Sequence, residues 1–155
     1  MLARMQSFYL LTAALFAFSS LFFPFWYFAT ETPLLLMDFR PLADAGVIHV
    51  FSLYVSSVVS PLTGLLSITA IFFYKNRSLQ STLIVVLILL FLIDLLSGLT
   101  AAHFMNQQLG RSFGSGIEHS PGVGFFVLLP EPLFFWLAMK GVKKDEKIVN
   151  AYKRL

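Results

Sequence analysis

The sequence predicts an all-α integral membrane protein: a four-helix bundle with both termini in the cytoplasm. Three observations carry that prediction. The first is composition: the 155 residues are 57% hydrophobic and 12% charged, with a mean hydropathy of +0.79, whereas soluble domains are about a quarter charged. A soluble chain of this length keeps too much surface to bury so much apolar area. This excludes a soluble enzyme, and the low charge and high Phe, Leu, Ile and Val content exclude disorder. The second is the spacing of charges, which divides the chain into four long apolar runs. The third is the distribution of Lys and Arg, which is lopsided about those runs.

The runs hold 26 uncharged residues between Arg4 and Glu31, and 30 between Asp44 and Lys75. Between Arg77 and Arg111 lie 33 residues with one charge, Asp94, and between Glu118 and Lys140 lie 21 with one charge, Glu131. Crossing about 30 Å of hydrocarbon takes ~20 apolar residues in a helix, so each run suffices for one crossing. Barrel strands would be shorter and would alternate. The expected helices are 8–29, 47–74, 81–105 and 121–142, in a single membrane domain with a short basic tail. Pro61 inside the second helix predicts a kink or tilt. The first run ends in Phe22, Phe23, Phe25, Trp26, Tyr27 and Phe28. These residues are expected as an aromatic belt closing an uncleaved first helix, because no small-residue cleavage site follows.

Orientation follows from the basic residues. Arg4, Lys75, Arg77, Lys140, Lys143, Lys144, Lys147, Lys153 and Arg154 fall on one side, and only Arg40 and Arg111 on the other. Both termini are therefore expected in the cytoplasm of a bacterial cell, with the chain in the inner membrane. The loops 30–46 and 106–120 are expected on the far side. The first, with Glu31, Asp38 and Asp44 against Arg40, has room for a short interfacial helix. The second is rich in glycine and predicts a flexible connection. Its Arg111–Gly116 stretch has neither the lysine nor the strand–loop–helix setting of a phosphate loop. The net charge of +3 does not indicate nucleic acid, because the basic residues flank apolar runs.

Three stretches resemble a known family: Met5-Gln6-Ser7-Phe8-Tyr9-Leu10-Leu11, Phe73-Tyr74-Lys75-Asn76-Arg77-Ser78-Leu79-Gln80, and Lys143-Lys144-Asp145-Glu146-Lys147-Ile148-Val149 with the final Arg154-Leu155. Their order and spacing are similar to a domain-of-unknown-function family of small four-span inner-membrane proteins from Bacteroidota. The resemblance covers essentially the whole chain. It implies location and span count, but no catalytic residue, cofactor or metal. Pro130-Glu131-Pro132 departs from it, since the family's pattern has apolar residues around a single proline there.

The polar residues within the spans are the candidates for function. Asp94 and Glu131 both fall near the middle of the membrane, where a charge costs at least ~2.5–3.5 kcal/mol. Three roles are open: the two carboxyls share a proton in the bundle interior, they pair with a donor on another subunit, or they belong to a proton or cation path. On the cytoplasmic side of Asp94, Leu83–Ile93 is wholly apolar, so a path along this helix alone is not expected. Pro130 and Pro132 remove the helical partners of the Phe126 and Leu128 carbonyls, which makes Glu131 a weak point of its helix.

Ser57, Ser60, Gly64 and Ser67 form a small-residue stripe on the second helix. It is expected to pack on Gly98 and its neighbours Ser97, Ala101 and Ala102. Lys75, Arg77, Lys143, Lys144, Asp145, Glu146 and Lys147 either set topology or form a cytoplasmic docking face, with Lys75 and Arg77 meeting lipid phosphates or the Asp145–Glu146 pair. His49, His103 and His119 are expected at the outer interface facing water or headgroups, in spacings that match no metal site. With no cysteine, thiol chemistry is excluded.

The expected function is a non-catalytic accessory or assembly subunit of a larger inner-membrane complex. Its partners would be the lipid bilayer and other membrane subunits, with no nucleic acid, soluble substrate or cofactor. The alternatives are a small proton- or cation-coupled transporter or channel using the two carboxyls, or a quinone- or lipid-binding protein with Phe134, Phe135 and Trp136 lining a pocket.

Overall fold

A computed structural model of the chain describes residues 2–30, 32–42, 44–114 and 117–152, with side chains from Met5 to Ala151. Glu31, Ser115, Gly116, Lys153, Arg154 and Leu155, and the side chains of Arg4 and Tyr152, lie outside the described residues. The chain forms α1 (Leu2–Ser20), β1 (Trp26–Phe28), β2 (Leu34–Leu36), α2 (Gly46–Phe72), α3 (Arg77–Phe113), β3 (His119–Pro121), α4 (Val123–Leu128) and α5 (Glu131–Tyr152), with a 3-10 turn, Phe73–Lys75, between α2 and α3. Helix α1 packs against α2 and α5, and α3 packs against the same two. The result is an antiparallel four-membered bundle in which α4 and α5 together form one member.

The helical residues follow the apolar runs, but the boundaries differ from expectation at each element. α2, α3 and the α4–α5 member are long and apolar enough to cross a bilayer. α1 is shorter, with 19 residues ending at Ser20 rather than near residue 29. The cause is local: Pro24 has no N–H to continue the ladder and disfavours helical backbone at Phe23. Phe22 and Phe23 close turns onto Ser19 and Ser20. The aromatic residues that follow take the extended conformation they favour. α3 runs from Arg77, capped by the Asn76 side chain on the Leu79 N–H at 3.2 Å, as far as Phe113. Its 37 residues span about 55 Å, so it projects beyond any bilayer.

The fourth member breaks where the two prolines stand. α4 ends at Leu128 and α5 starts at Glu131, so Pro132 occupies the first turn of a new helix, where a missing N–H costs nothing. The Pro130 carbonyl accepts from the N–H groups of Leu133 and Phe134. α2, by contrast, continues through Pro61 without interruption.

A small sheet caps one end of the bundle in the order β2-β1-β3, all antiparallel. β2 and the Met37–Arg40 bridge stand in the loop that has room for a short interfacial helix. The glycine-rich segment, expected to be flexible, supplies the end of α3 and strand β3. Gly122 and Gly124 are the reason β3 can seat there. Their N–H groups donate to Phe25 O at 2.9 Å and Pro24 O at 3.0 Å, and a Cβ on Gly122 would stand 2.1 Å from Pro24 O.

The opposite end of the bundle gathers the start of α1, the α2–α3 turn and the end of α5. Between the two ends lies a core of Leu10, Ala13, Ile84, Leu87, Phe135 and Ala138, and a second core under the sheet contains Phe28, Leu36, Leu53 and Met105. Outward-facing Phe8, Leu15, Phe51, Leu65, Leu96 and Leu133 are exposed along the helices, which gives the bundle a surface suited to lipid.

Candidate functional site

The stripe of small residues on α2 faces inward, and its hydroxyls form hydrogen bonds across the bundle. Ser56 donates to Asp94 Oδ1 on α3 at 2.5 Å. Ser60 and Ser20, from α2 and α1, share a hydrogen bond at 2.7 Å, and Ser60 also reaches Ala17 O at 2.9 Å. Ser57 donates to Asp38 Oδ1 at 3.0 Å and accepts the Phe39 N–H at 3.0 Å. Phe39 has φ of 58°, a left-handed turn that directs Asp38 from the β2 side onto α2. Ser56, Ser57, Ser60, Thr63 and Ser67 are all buried.

Glu131, at the first position of α5, completes this layer. α1 and α5 run antiparallel, with Phe16 stacked on Phe134 at 5.6 Å between ring centres. That register brings Glu131 level with Ser20. Its side chain is 1% exposed, within electrostatic range of Asp94, and its Oε1 has no protein hydrogen-bond partner. Each of the four bundle members therefore contributes a polar group to one buried layer: Ser20, Ser56 and Ser60, Asp94, and Glu131. Further from the sheet, Ser67 Oγ and Gln80 Oε1 are likewise buried without a partner, while Gln80 Nε2 donates to Ala70 O at 3.0 Å.

The packing partners of the glycines differ from expectation. A Cβ on Gly64 would meet the Phe18 ring of α1 at 2.8 Å, and one on Gly98 would meet the Phe25 ring at 2.8 Å. Each glycine thus receives an aromatic ring, and the two stripes do not pack on one another through them. α2 and α3 share apolar core residues and are joined by three side-chain hydrogen bonds: Ser56 to Asp94, Gln80 to Ala70, and His49 to Ala101.

His49 does not face water or headgroups. It is fully buried, with Nδ1 2.9 Å from Ala101 O and Nε2 accepting the Leu42 N–H at 3.2 Å. His119 accepts from Trp26 Nε1 at 3.2 Å, and His103 stands 3.1 Å from Gln107 Nε2. Among the described residues no group of three His, Asp or Glu side chains is arranged to hold a metal ion. Phe134, Phe135 and Trp136 point in different directions: onto Phe16, into the core, and outward beneath Lys140. They do not form one wall of a pocket.

At the end opposite the sheet, Asp145 joins three segments. Gln6 Nε2 of α1 donates to Asp145 Oδ2 at 2.7 Å, and the Arg77 guanidinium donates to the Asp145 backbone carbonyl at 2.8 Å. Arg77 thus meets the backbone of the acidic pair and Gln6 its carboxylate. Lys143, Lys144, Glu146 and Lys147 remain exposed around this junction. An open cleft of about 500 Å³ beside it is lined by Lys75, Asn76, Arg77, Glu146, Val149 and Asn150.

The sequence reading missed Gln6, Ser20, Asp38, Ser56 and Gln80. The signal available was the recurrence of hydroxyls on α2 at intervals of three and four, which is legible as donors as well as small residues.

No curated protein and no solved structure matches the chain. A family model matches residues 2–155, in agreement with the resemblance carried by the start, the central turn and the tail. The chain belongs to the family described as Domain of unknown function (DUF4293).

Proposed function

We propose that this is a multi-pass protein of the bacterial cytoplasmic membrane, with four crossings and both termini in the cytoplasm. It would serve as a small accessory or assembly subunit of a larger membrane complex, without catalytic chemistry of its own. The observation that carries the docking role is the junction at Asp145. A buried carboxylate ties the end of α5 to α1 while Arg77 ties the α2–α3 turn to the same residue. The exposed Lys143, Lys144, Glu146 and Lys147 are thereby presented on a braced surface rather than on a free tail.

The orientation is supported by charge. Seven of the eleven Lys and Arg residues, Arg4, Lys75, Arg77, Lys140, Lys143, Lys144 and Lys147, belong to described segments of this end, which is the side retained in the cytoplasm by the positive-inside rule. The fourth crossing is α1. Its 19 residues rise about 28 Å, close to the hydrocarbon thickness, and it runs alongside α2 and the α4–α5 member, which are long enough to span.

Native mass spectrometry of the protein extracted gently from its own membrane tests this reading. Stoichiometric membrane polypeptides are expected with the wild type, and they should be lost when Lys143, Lys144 and Lys147 are all replaced by Glu. A monomer or homo-oligomer without partners overturns it.

A further inference from the structure

We propose that Asp94 and Glu131 form a proton-binding site inside the bundle, loaded from the sheet end through Asp38 and Ser57. The layer they occupy has polar side chains from all four bundle members and no cation. No Lys or Arg occurs between residues 45 and 74, 78 and 110, or 119 and 139. The titratable groups facing the layer are Asp94 from α3, Glu131 from α5 and Asp38 from the β2 side. α2 adds only His49, two turns nearer the sheet and occupied by Ala101 and Leu42, and α1 adds none.

Two buried carboxylates left ionised with no cation of the chain beside them would be costly. The proton is the ion that fits: it needs no coordination shell and can be shared between oxygens. Glu131 supplies an independent observation. Its Oε1 is buried and has no protein hydrogen-bond partner. An oxygen in that state accepts or carries a hydrogen, and an unpaired one is costly.

The route is set by hydroxyls. Asp38 is only partly buried and accepts from Ser57. Ser56, the next residue on α2, donates to Asp94, and Ser60 shares a hydrogen bond with Ser20; no hydrogen bond joins Ser57 to Ser56, so the proposed route has to cross that one step between neighbouring hydroxyls. The polar line is carried by α2, not by α3, whose residues 83–93 are apolar. In loading, a proton leaves a buffer acid on the sheet side and ends on a carboxylate oxygen of the Asp94–Glu131 pair. Only O–H bonds form and break.

The test is infrared difference spectroscopy of the full chain in nanodiscs on stepping the buffer between acid and alkaline pH. The expected result is a carbonyl band of protonated buried carboxyl groups that changes with pH. D94N and E131Q each remove a share of it, and the double variant removes all of that share. S56A, which keeps both carboxyls, is expected to raise the frequency of the Asp94 component because it deletes the hydrogen-bond donor. D38N is expected to remove the contribution of Asp38 itself, leave the Asp94–Glu131 share of the amplitude intact and slow the response of that share several-fold. A spectrum without a pH-dependent buried carboxyl band, or one unchanged in D94N, E131Q and S56A, overturns the site. An unchanged rate in D38N overturns the loading route.

Discussion

His49 and Ala101 are joined across the α2–α3 interface, with the imidazole Nδ1 2.9 Å from the Ala101 carbonyl. The other ring nitrogen accepts the Leu42 N–H at 3.2 Å, which specifies the Nδ1–H tautomer. One side chain thus holds two helices and the segment leading into α2. His49→Ala leaves the Leu42 N–H without its partner, removes the cross-helix bond to the Ala101 carbonyl and opens a cavity. A loss of about 2–4 kcal/mol is expected, read as a lower unfolding midpoint in detergent. A loss below half a kilocalorie would show that water replaces the ring.

Gly122 and Gly124 set the closest backbone approach in the sheet, and Gly110 provides the control. Gly122→Ala places a methyl 2.1 Å from Pro24 O, so β3 must leave β1. The expected result is loss of protection from hydrogen exchange across residues 24–28 and 119–124. Gly110 lies within α3 with open space around its Cα. Gly110→Ala is expected to stabilise α3 by about 0.5–1 kcal/mol and to leave the sheet unchanged.

Asp38 gives the fold a pH dependence of calculable sign. Burial pushes its carboxyl above the ordinary aspartate value, partly offset by the Ser57 hydrogen bond. The folded state therefore binds more protons than the unfolded state, starting near the ordinary value of about 3.9. Stability contributed by the protonated group is fully present below that pH and is lost as pH rises through the higher folded-state value. Asp38→Asn should flatten this part of the profile, measured as unfolding midpoint against pH. A slope identical in wild type and variant would refute it.

Asp145→Ala should loosen the end that carries the proposed docking face. It removes the acceptor of the Gln6 amide at 2.7 Å, a contact to a buried charged group expected to contribute about 1.5–3 kcal/mol. Asp145→Asn keeps one carbonyl oxygen and should recover part of the loss. The readout is the rate of cross-linking between cysteines introduced at Met5 and Lys144. Rates unchanged in Asp145→Ala would show that Gln6 and Asp145 do not brace the two helices.

The runs that became α2, α3 and the α4–α5 member were legible because a crossing helix is a local object. Its length and apolarity are properties of some 20 consecutive residues, and Pro130-Glu131-Pro132 marks the break between α4 and α5 within the same window. The side on which basic residues gather was also countable, and the three short motifs identified the family. The sheet was not legible. Its strands are three residues long, too short for alternation to register, and β1 pairs with β3 across about ninety residues. Nor was the partner of Asp94 legible: the periodicity of α2 marks Ser56 and Ser60 as one face, but the register of α2 against α3 selects which carboxyl they meet. The same holds for His49, Gly122 and Glu131. Sequence by itself determined which segments are helical and apolar, because backbone hydrogen bonding and desolvation act residue by residue along the chain. Tertiary structure alone decided which polar groups meet, because a buried donor or acceptor takes its partner from another helix, and packing sets that register.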